Sequence, residues 1–185
     1  MLLSAYFRFC DDSIGFVVMN HEILWAPWRM SYLTQPKTDL PKAEKPSCFF
    51  CAYRDSTNDA ENFVVMRSSH AFVMLNRYPY NGGHLLVAPL AHIGDFAELS
   101  TAELNDCQAL LQRLVVVMKP LMKCDGFNIG INLGKAAGAG VPGHLHWHLV
   151  PRWSGDHNFL PVTSGTHVIN QSLEDFYQQL MKVIA

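Results

Sequence analysis

Residues 144–153, HLHWHLVPRW, place three histidines at strict alternation: His144, His146 and His148. Only an extended backbone turns a period of two into a single face. On such a strand the three imidazoles share one side, and Leu145, Trp147 and Leu149 share the other. The apolar set suits a sheet core. The histidine set needs solvent, hydrogen bonds, ligation or chemistry, because crowded imidazoles are otherwise costly. Immediately upstream runs GKAAGAG, residues 134–140. Its small residues let backbone N–H groups approach an anion closely. A histidine row beside such a loop points to a site that handles phosphate.

The surrounding chain supplies the partners this strand needs. Short strand patterns occur at 63–66, 71–75, 84–88 and 127–132, with Asn81, Gly82 and Gly83 turning the chain before the third. No long helix separates the first three, which favours antiparallel pairing. Ser100, Thr101, Ala102 and Glu103 form a capping box that opens a helix over about 101–118, with Pro120 ending or kinking it. Residues 173–183 read as an amphipathic C-terminal helix. Strands in the middle with helices before and after give an α+β domain on an antiparallel sheet. Residues 1–21 read as an N-terminal extension of uncertain order and 22–185 as a single domain. Within that domain, the aromatic stretch 24–33 packs on the body and the Pro/Lys-rich 34–47 is a loop. The loop 153–161 follows the histidine strand.

The 185 residues carry 49% hydrophobic and 16% charged side chains, enough for one buried core. A formal net charge of -2 excludes a broad polyanion-binding surface, so no nucleic-acid partner is expected. No apolar run approaches the roughly 18 residues of a membrane span, and no membrane association is expected. The first residues, with Asp11 and Asp12 and no basic leader, make a poor secretion signal. Met19 offers an alternative start. Five cysteines, an odd number, argue against a disulfide framework and for a reducing cytoplasm.

Cys48 and Cys51 form a C-x-x-C. Such a pair can be redox-active, metal-binding or incidental. The redox reading wants a helix N-terminus after a central strand, whereas this pair follows a Pro/Lys loop. A zinc site needs two further ligands, for which His92 and His144 are the candidates. Four N and S ligands would make a closed, structural site.

A histidine attacks phosphorus well when one ring nitrogen is free and the other is held by a hydrogen bond. His146, at the centre of the row, is the candidate nucleophile. His148 can donate to a phosphoryl oxygen. The loop is not a Walker A: the 130–135 stretch is one residue short and Ala136 stands where Ser or Thr is required. Lys135 reads as a solvated loop lysine. Asn132 can present amide donors and an acceptor. Asn76 and His84 carry little weight taken alone.

The residues together resemble the histidine-triad (HIT) superfamily. HLHWHLVP matches its His-x-His-x-His-x-x pattern, LNRYPYNGGHLLVAPLAHI resembles its nucleoside-binding strand pair, and GFNIGINLGKAAGAG resembles its strand and phosphate loop. LWAPWRMSYL with CFFC is similar to the N-terminal region of bacterial zinc-containing members. AGAGVPGHLHWHLVPRWSGDHNF resembles the diadenosine tetraphosphate phosphorylase branch. The resemblance spans about residues 22–162. It implies a five-stranded antiparallel sheet with a long helix, commonly in a homodimer. It implies nucleotidyl transfer or hydrolysis at an α-phosphate. His146 is then the nucleophile and His148 a phosphate contact, with Gly138, Ala139 and Gly140 beside it. His144, Cys48, Cys51 and His92 hold structural zinc. Asn76 serves the ribose, and Asn132 stands near the leaving group. Mg2+ enters only with the polyphosphate. Two departures give a mixed character. Gly140 and Val141 stand where many hydrolases carry Gln and Ser or Thr, and His148 stands where transferase branches often carry Gln.

The function this implies is phosphorolysis of diadenosine tetraphosphate to ADP and ATP through a His146–AMP intermediate. The alternatives are a hydrolase of dinucleoside polyphosphates or adenosine phosphoramidates using water, a non-catalytic nucleotide-binding adaptor, and a zinc-stabilised interaction module.

Overall fold

The computed structural model describes residues 48–156, 169 and 171–184. The readings for 1–21, 24–33 and 34–47, and for the far end of the 153–161 loop, lie outside the described residues. Helices α1 (Phe49–Asp55) and α2 (Asp59–Asn62) precede strands β1 (Val64–Arg67), β2 (Ala71–Leu75) and β3 (Leu85–Pro89). Helix α3 (Thr101–Met122), β4 (Gly126–Ile131), β5 (Trp147–Arg152) and α4 (Leu173–Ile184) follow. The five strands form one antiparallel sheet in the order β1-β2-β3-β5-β4. The α+β class, the long helix and the C-terminal helix all stand as the sequence implied.

The alternating strand pattern splits the sheet into two faces. Val73, Leu75, Leu85, Val87, Leu145, Trp147 and Leu149 turn towards α3 and α4, where Leu111, Leu114, Phe176 and Leu180 complete the main core. The opposite face carries Phe72, Met74, Leu86 and Ala88, covered by Phe50 of α1. The histidines share this second, thinner layer. That placement lets a dry core fix the strand from one side while its other face meets α1.

Local chemistry sets the element ends. The Ser100 backbone N–H donates to Glu103 Oε2 at 2.8 Å, and the Glu103 N–H donates back to Ser100 Oγ at 3.3 Å. These bonds satisfy amides that the first turn leaves unpaired. The helix then differs from expectation by running through Pro120 to Met122. Proline removes only the bond to the Val116 carbonyl, and Val116 is a solvent-facing position. Lys123 ends the helix in the left-handed region, at φ 49°.

The regular ladder of the histidine strand begins only at Trp147, so His144 and His146 stand in an extended lead-in. There the Leu145 N–H donates to Ile93 O at 2.7 Å in place of a strand partner. The alternation of faces survives, with Leu145 and Trp147 in the core. Gly94 permits this approach, since a Cβ at that position would lie 2.5 Å from Pro142 O.

Candidate active site

The lead-in, the end of β3 and the start of α1 converge on four metal-ligating side chains. One ligand atom from each of Cys48, Cys51, His92 and His144 falls in a group spanning no more than 4.8 Å. Cys48 Sγ lies 3.3 Å from His144 Nδ1, and Cys51 Sγ lies 3.3 Å from His92 Nδ1 and 3.6 Å from His144 Nδ1. Tetrahedral zinc with ordinary Zn–S and Zn–N bonds separates its S and N ligands by about 3.5 Å. The donor set therefore fits zinc in both chemistry and spacing. His144 also has the required tautomer. Its Nε2–H donates to Pro89 O at 2.9 Å, which leaves the Nδ1 lone pair for the metal.

Hydrogen bonds fix the other two histidines as well. His146 Nδ1–H donates to His144 O at 2.9 Å, so its Nε2 carries a free lone pair. The state of His148 is set from further away. The Tyr80 N–H at 3.0 Å and the Asn76 Nδ2 amide at 3.2 Å both donate to His84 Nδ1. His84 must then hold its proton on Nε2, which donates to His148 Nδ1 at 3.0 Å. His148 in turn keeps its proton on Nε2, a buried atom with no hydrogen-bond partner among the described residues. The three alternating histidines thus present three different groups: a lone pair towards the cysteines, a free lone pair and an N–H donor.

Burial holds these rings neutral. It pushes His84 down to about 3 and His148 to about 4, helped by the neighbouring imidazoles. His144 is held at about 4 by burial, against the bond to Pro89 O. Burial lowers His146 too, against its bond to His144 O. Phe50, fully buried, lies against both His144 and His146, with ring centroids at 4.9 and 4.8 Å.

Two concavities lie on either side of the row. A cleft of about 200 Å³ between α1 and the β2–β3 pair is lined by Phe49, Tyr53, Met74, Asn76 and Leu86. A more open groove of about 220 Å³ over β5 and β4 is lined by Tyr80, Asn128, Gly130, Asn132, His148 and Val150. The glycine-rich loop approaches the groove at Gly138, which has φ +90° and whose Cβ would lie 4.0 Å from Asn132 Nδ2. The Gly138 and Ala139 amides close the loop itself, donating to Lys135 O at 3.0 Å and Gly134 O at 3.2 Å. Among the described residues the Gly140 amide has no such bond.

Comparison with known proteins gives this arrangement its relatives. The HIT domain model matches residues 57–155, more than half of the chain. The chain belongs to the HIT family. The AP-4-A phosphorylase of Mycobacterium tuberculosis is 39% identical over 154 residues, 82% of this chain and 78% of that protein. A Bis(5'-adenosyl)-triphosphatase of Saccharomyces cerevisiae is 33% identical over 91 residues, which cover 49% of this chain and 44% of that protein. A crystal structure of a Zn-bound histidine triad family protein from Mycobacterium smegmatis superposes with TM-score 0.61 at 29% identity, covering 75% of this chain and 93% of that one. The family relationship makes the chain an enzyme that acts on nucleotides.

As a HIT enzyme the chain has its expected residues well gathered. Cys48, Cys51, His92 and His144 form one cluster. His146 and His148 are adjacent rings with centroids 5.0 Å apart, and Asn132 lines the groove beside His148. Asn76 lines the cleft, but much of its amide is engaged internally: Oδ1 accepts the Tyr78 N–H at 2.9 Å while Nδ2 serves His84. Lys135 is exposed, in keeping with a solvated loop lysine. Sequence reasoning undervalued His84 and missed Tyr80 and Phe50. A signal for His84 did exist. Asn76 and His84 bracket RYPYNGG and close the β2–β3 hairpin, the Asn76 N–H donating to His84 O at 3.0 Å.

Proposed function

We propose that the enzyme transfers a nucleotidyl group from the α-phosphate of a dinucleoside polyphosphate, and that diadenosine tetraphosphate with inorganic phosphate as acceptor is its preferred reaction. The observation that carries this reading is the free Nε2 lone pair of His146, held in place by the Nδ1–H bond to His144 O and next to the His148 ring that lines the groove.

One nucleoside enters the α1 cleft. Asn76 keeps one amide hydrogen and one lone pair with which to meet its ribose. The α-phosphate comes to rest against the His148 Nε2–H, near Asn132 and the Gly140 amide, with Gly138 and Ala139 shaping the approach. His146 Nε2 attacks phosphorus in line. An N–P bond forms, the P–O bond to the bridging oxygen breaks, and the departing polyphosphate nucleotide takes the electron pair. The Nδ1–H bond to His144 O strengthens as the ring becomes cationic. An oxygen of inorganic phosphate then attacks the same phosphorus, the N–P bond breaks, and ADP leaves with His146 restored. A covalent intermediate divides one difficult displacement into two easier ones. The protein's part is positioning and charge stabilisation.

Cys48, Cys51, His92 and His144 would hold zinc in a structural role, tying α1 to the histidine lead-in. Mg2+ belongs with the polyphosphate in this scheme. The buried, unpaired Cys107 and Cys124 suit a reducing cytoplasm. No described helix is long and apolar enough to cross a membrane. The sheet order leaves β4 at an edge, with Ile129 and Leu133 exposed, which supports a homodimer formed through that side.

Likeness to the phosphorylase over 82% of this chain favours phosphate as acceptor. Likeness to the triphosphatase over 49% keeps water as the second reading. Incubation with diadenosine tetraphosphate, with and without inorganic phosphate, separates the two. ADP and ATP formed only with phosphate supports phosphorolysis. AMP and ATP in both cases establishes hydrolysis instead.

A further inference from the structure

We propose that the side chain of Tyr80 is a stacking platform for the second nucleobase, the one on the leaving nucleotide. This rests on the transfer reading above and adds where the far end of the substrate lies. Tyr80 is 58% exposed, yet its ring is not loose. One face covers His148, with centroids 5.5 Å apart and planes at 23°, and sits 4.7 Å from His84. The exposed remainder of the side chain lines the groove over β5 and β4. A large ring with one supported and one open face is built for stacking, and every base has a π-face to match it.

The floor beside this ring is open. Gly130 pairs directly with His148 across the β4–β5 ladder, and nothing lies within 4 Å of where its Cβ would stand. Any side chain at that position would fill the space beside Tyr80. The histidine row stands between this groove and the α1 cleft. A nucleotide with one base occupies only the cleft, whereas a substrate with a base at each end bridges the row and occupies both. The phosphorus under attack then lies at the crossing, where His146 stands. Stacking without base-edge hydrogen bonds also makes the second site tolerant of guanine as well as adenine.

Tyr80 permits a clean test, because it holds His84 through its backbone N–H and not its ring. Tyr80→Ala keeps that N–H bond but uncovers His148, so the readout is the ratio between two substrates and not activity on either, and Tyr80→Phe keeps the platform. The assay compares kcat/KM for diadenosine tetraphosphate with that for adenosine 5'-tetraphosphate, which has the same four phosphates and one base. The native enzyme and Tyr80→Phe should favour the two-base substrate by about tenfold, and Tyr80→Ala should lose that preference by falling further on the two-base substrate than on the one-base substrate. Equal loss on both substrates would make Tyr80 only a support for His148 and overturn the platform. So would unchanged kinetics on both. Turnover of neither substrate by the native enzyme would instead remove the transfer reading, and the second-base site with it.

Discussion

The nucleophile role proposed for His146 rests on its own backbone, since the carbonyl two residues back accepts the Nδ1–H bond and leaves Nε2 bare. Replacing it by alanine should lower turnover by about a thousandfold or more while nucleotide binding persists, as steady-state assay and calorimetry would show. His84 acts one step further out. It and His148 fold as neutral rings with pKa values pushed down to about 3 and about 4. Below about pH 6.5 the unfolded chain binds protons that the folded chain does not, so stability is complete above that pH and falls towards pH 4. The buried His84 alone should remove about 2 kcal/mol between pH 7 and pH 5. Denaturant titrations at both pH values should show this loss, and His84→Gln should flatten it. An unchanged slope in that variant would contradict the neutral relay. The triad was legible because its period of two is local. His84 was not, because its meaning comes from a hairpin closure and from the β3–β5 register, which pairs Leu86 with His148. The turn residues between Asn76 and His84 hint at the closure, but the register that brings His84 to His148 is not written beside it.

Helix α1 connects the Cys48, Cys51, His92 and His144 cluster to the cleft proposed for the nucleoside. Its start carries Cys48 and Cys51, its buried Phe50 lies on His144 and His146, and Phe49 and Tyr53 line the cleft. Removing zinc with a chelator should therefore lower the melting temperature and raise KM for the nucleotide before it lowers kcat. Cys48→Ser should do the same. A purely kcat effect would disconnect the helix from the cleft. Phe50→Ala should cost about 3–5 kcal/mol, since it empties a fully buried site. The four ligands were readable by residue type, although Cys48 and His144 lie 96 positions apart. What the residue types could not supply was the geometry: Gly94 lets the Ile93 segment lie against residues 142–143, and this brings His92 up to His144. Helix α3 shows the opposite case. Its capping box was readable, but its end was not, because the effect of Pro120 depends on a bond lost at a solvent-facing turn rather than in the core.

At the scale of the molecule, the sheet keeps its two faces apart. One is closed by α3 and α4 around the main core, and the other carries the metal cluster, the histidine row and a concavity on each side of it. This division explains how a single strand can belong to the core and to the chemistry at once. In the proposed transfer the covalent intermediate is the decisive species, because a two-ended substrate must release one end while the other is retained. The direct measurement is the intact mass of the protein after brief mixing with diadenosine tetraphosphate in the absence of phosphate, quenched in alkali to preserve an N–P bond. The expected result is a gain of one adenylyl group, mapped to His146, absent from His146→Ala and discharged as ADP when phosphate is added. Full turnover with no adduct, or an adduct on any other residue, would contradict the role given to His146.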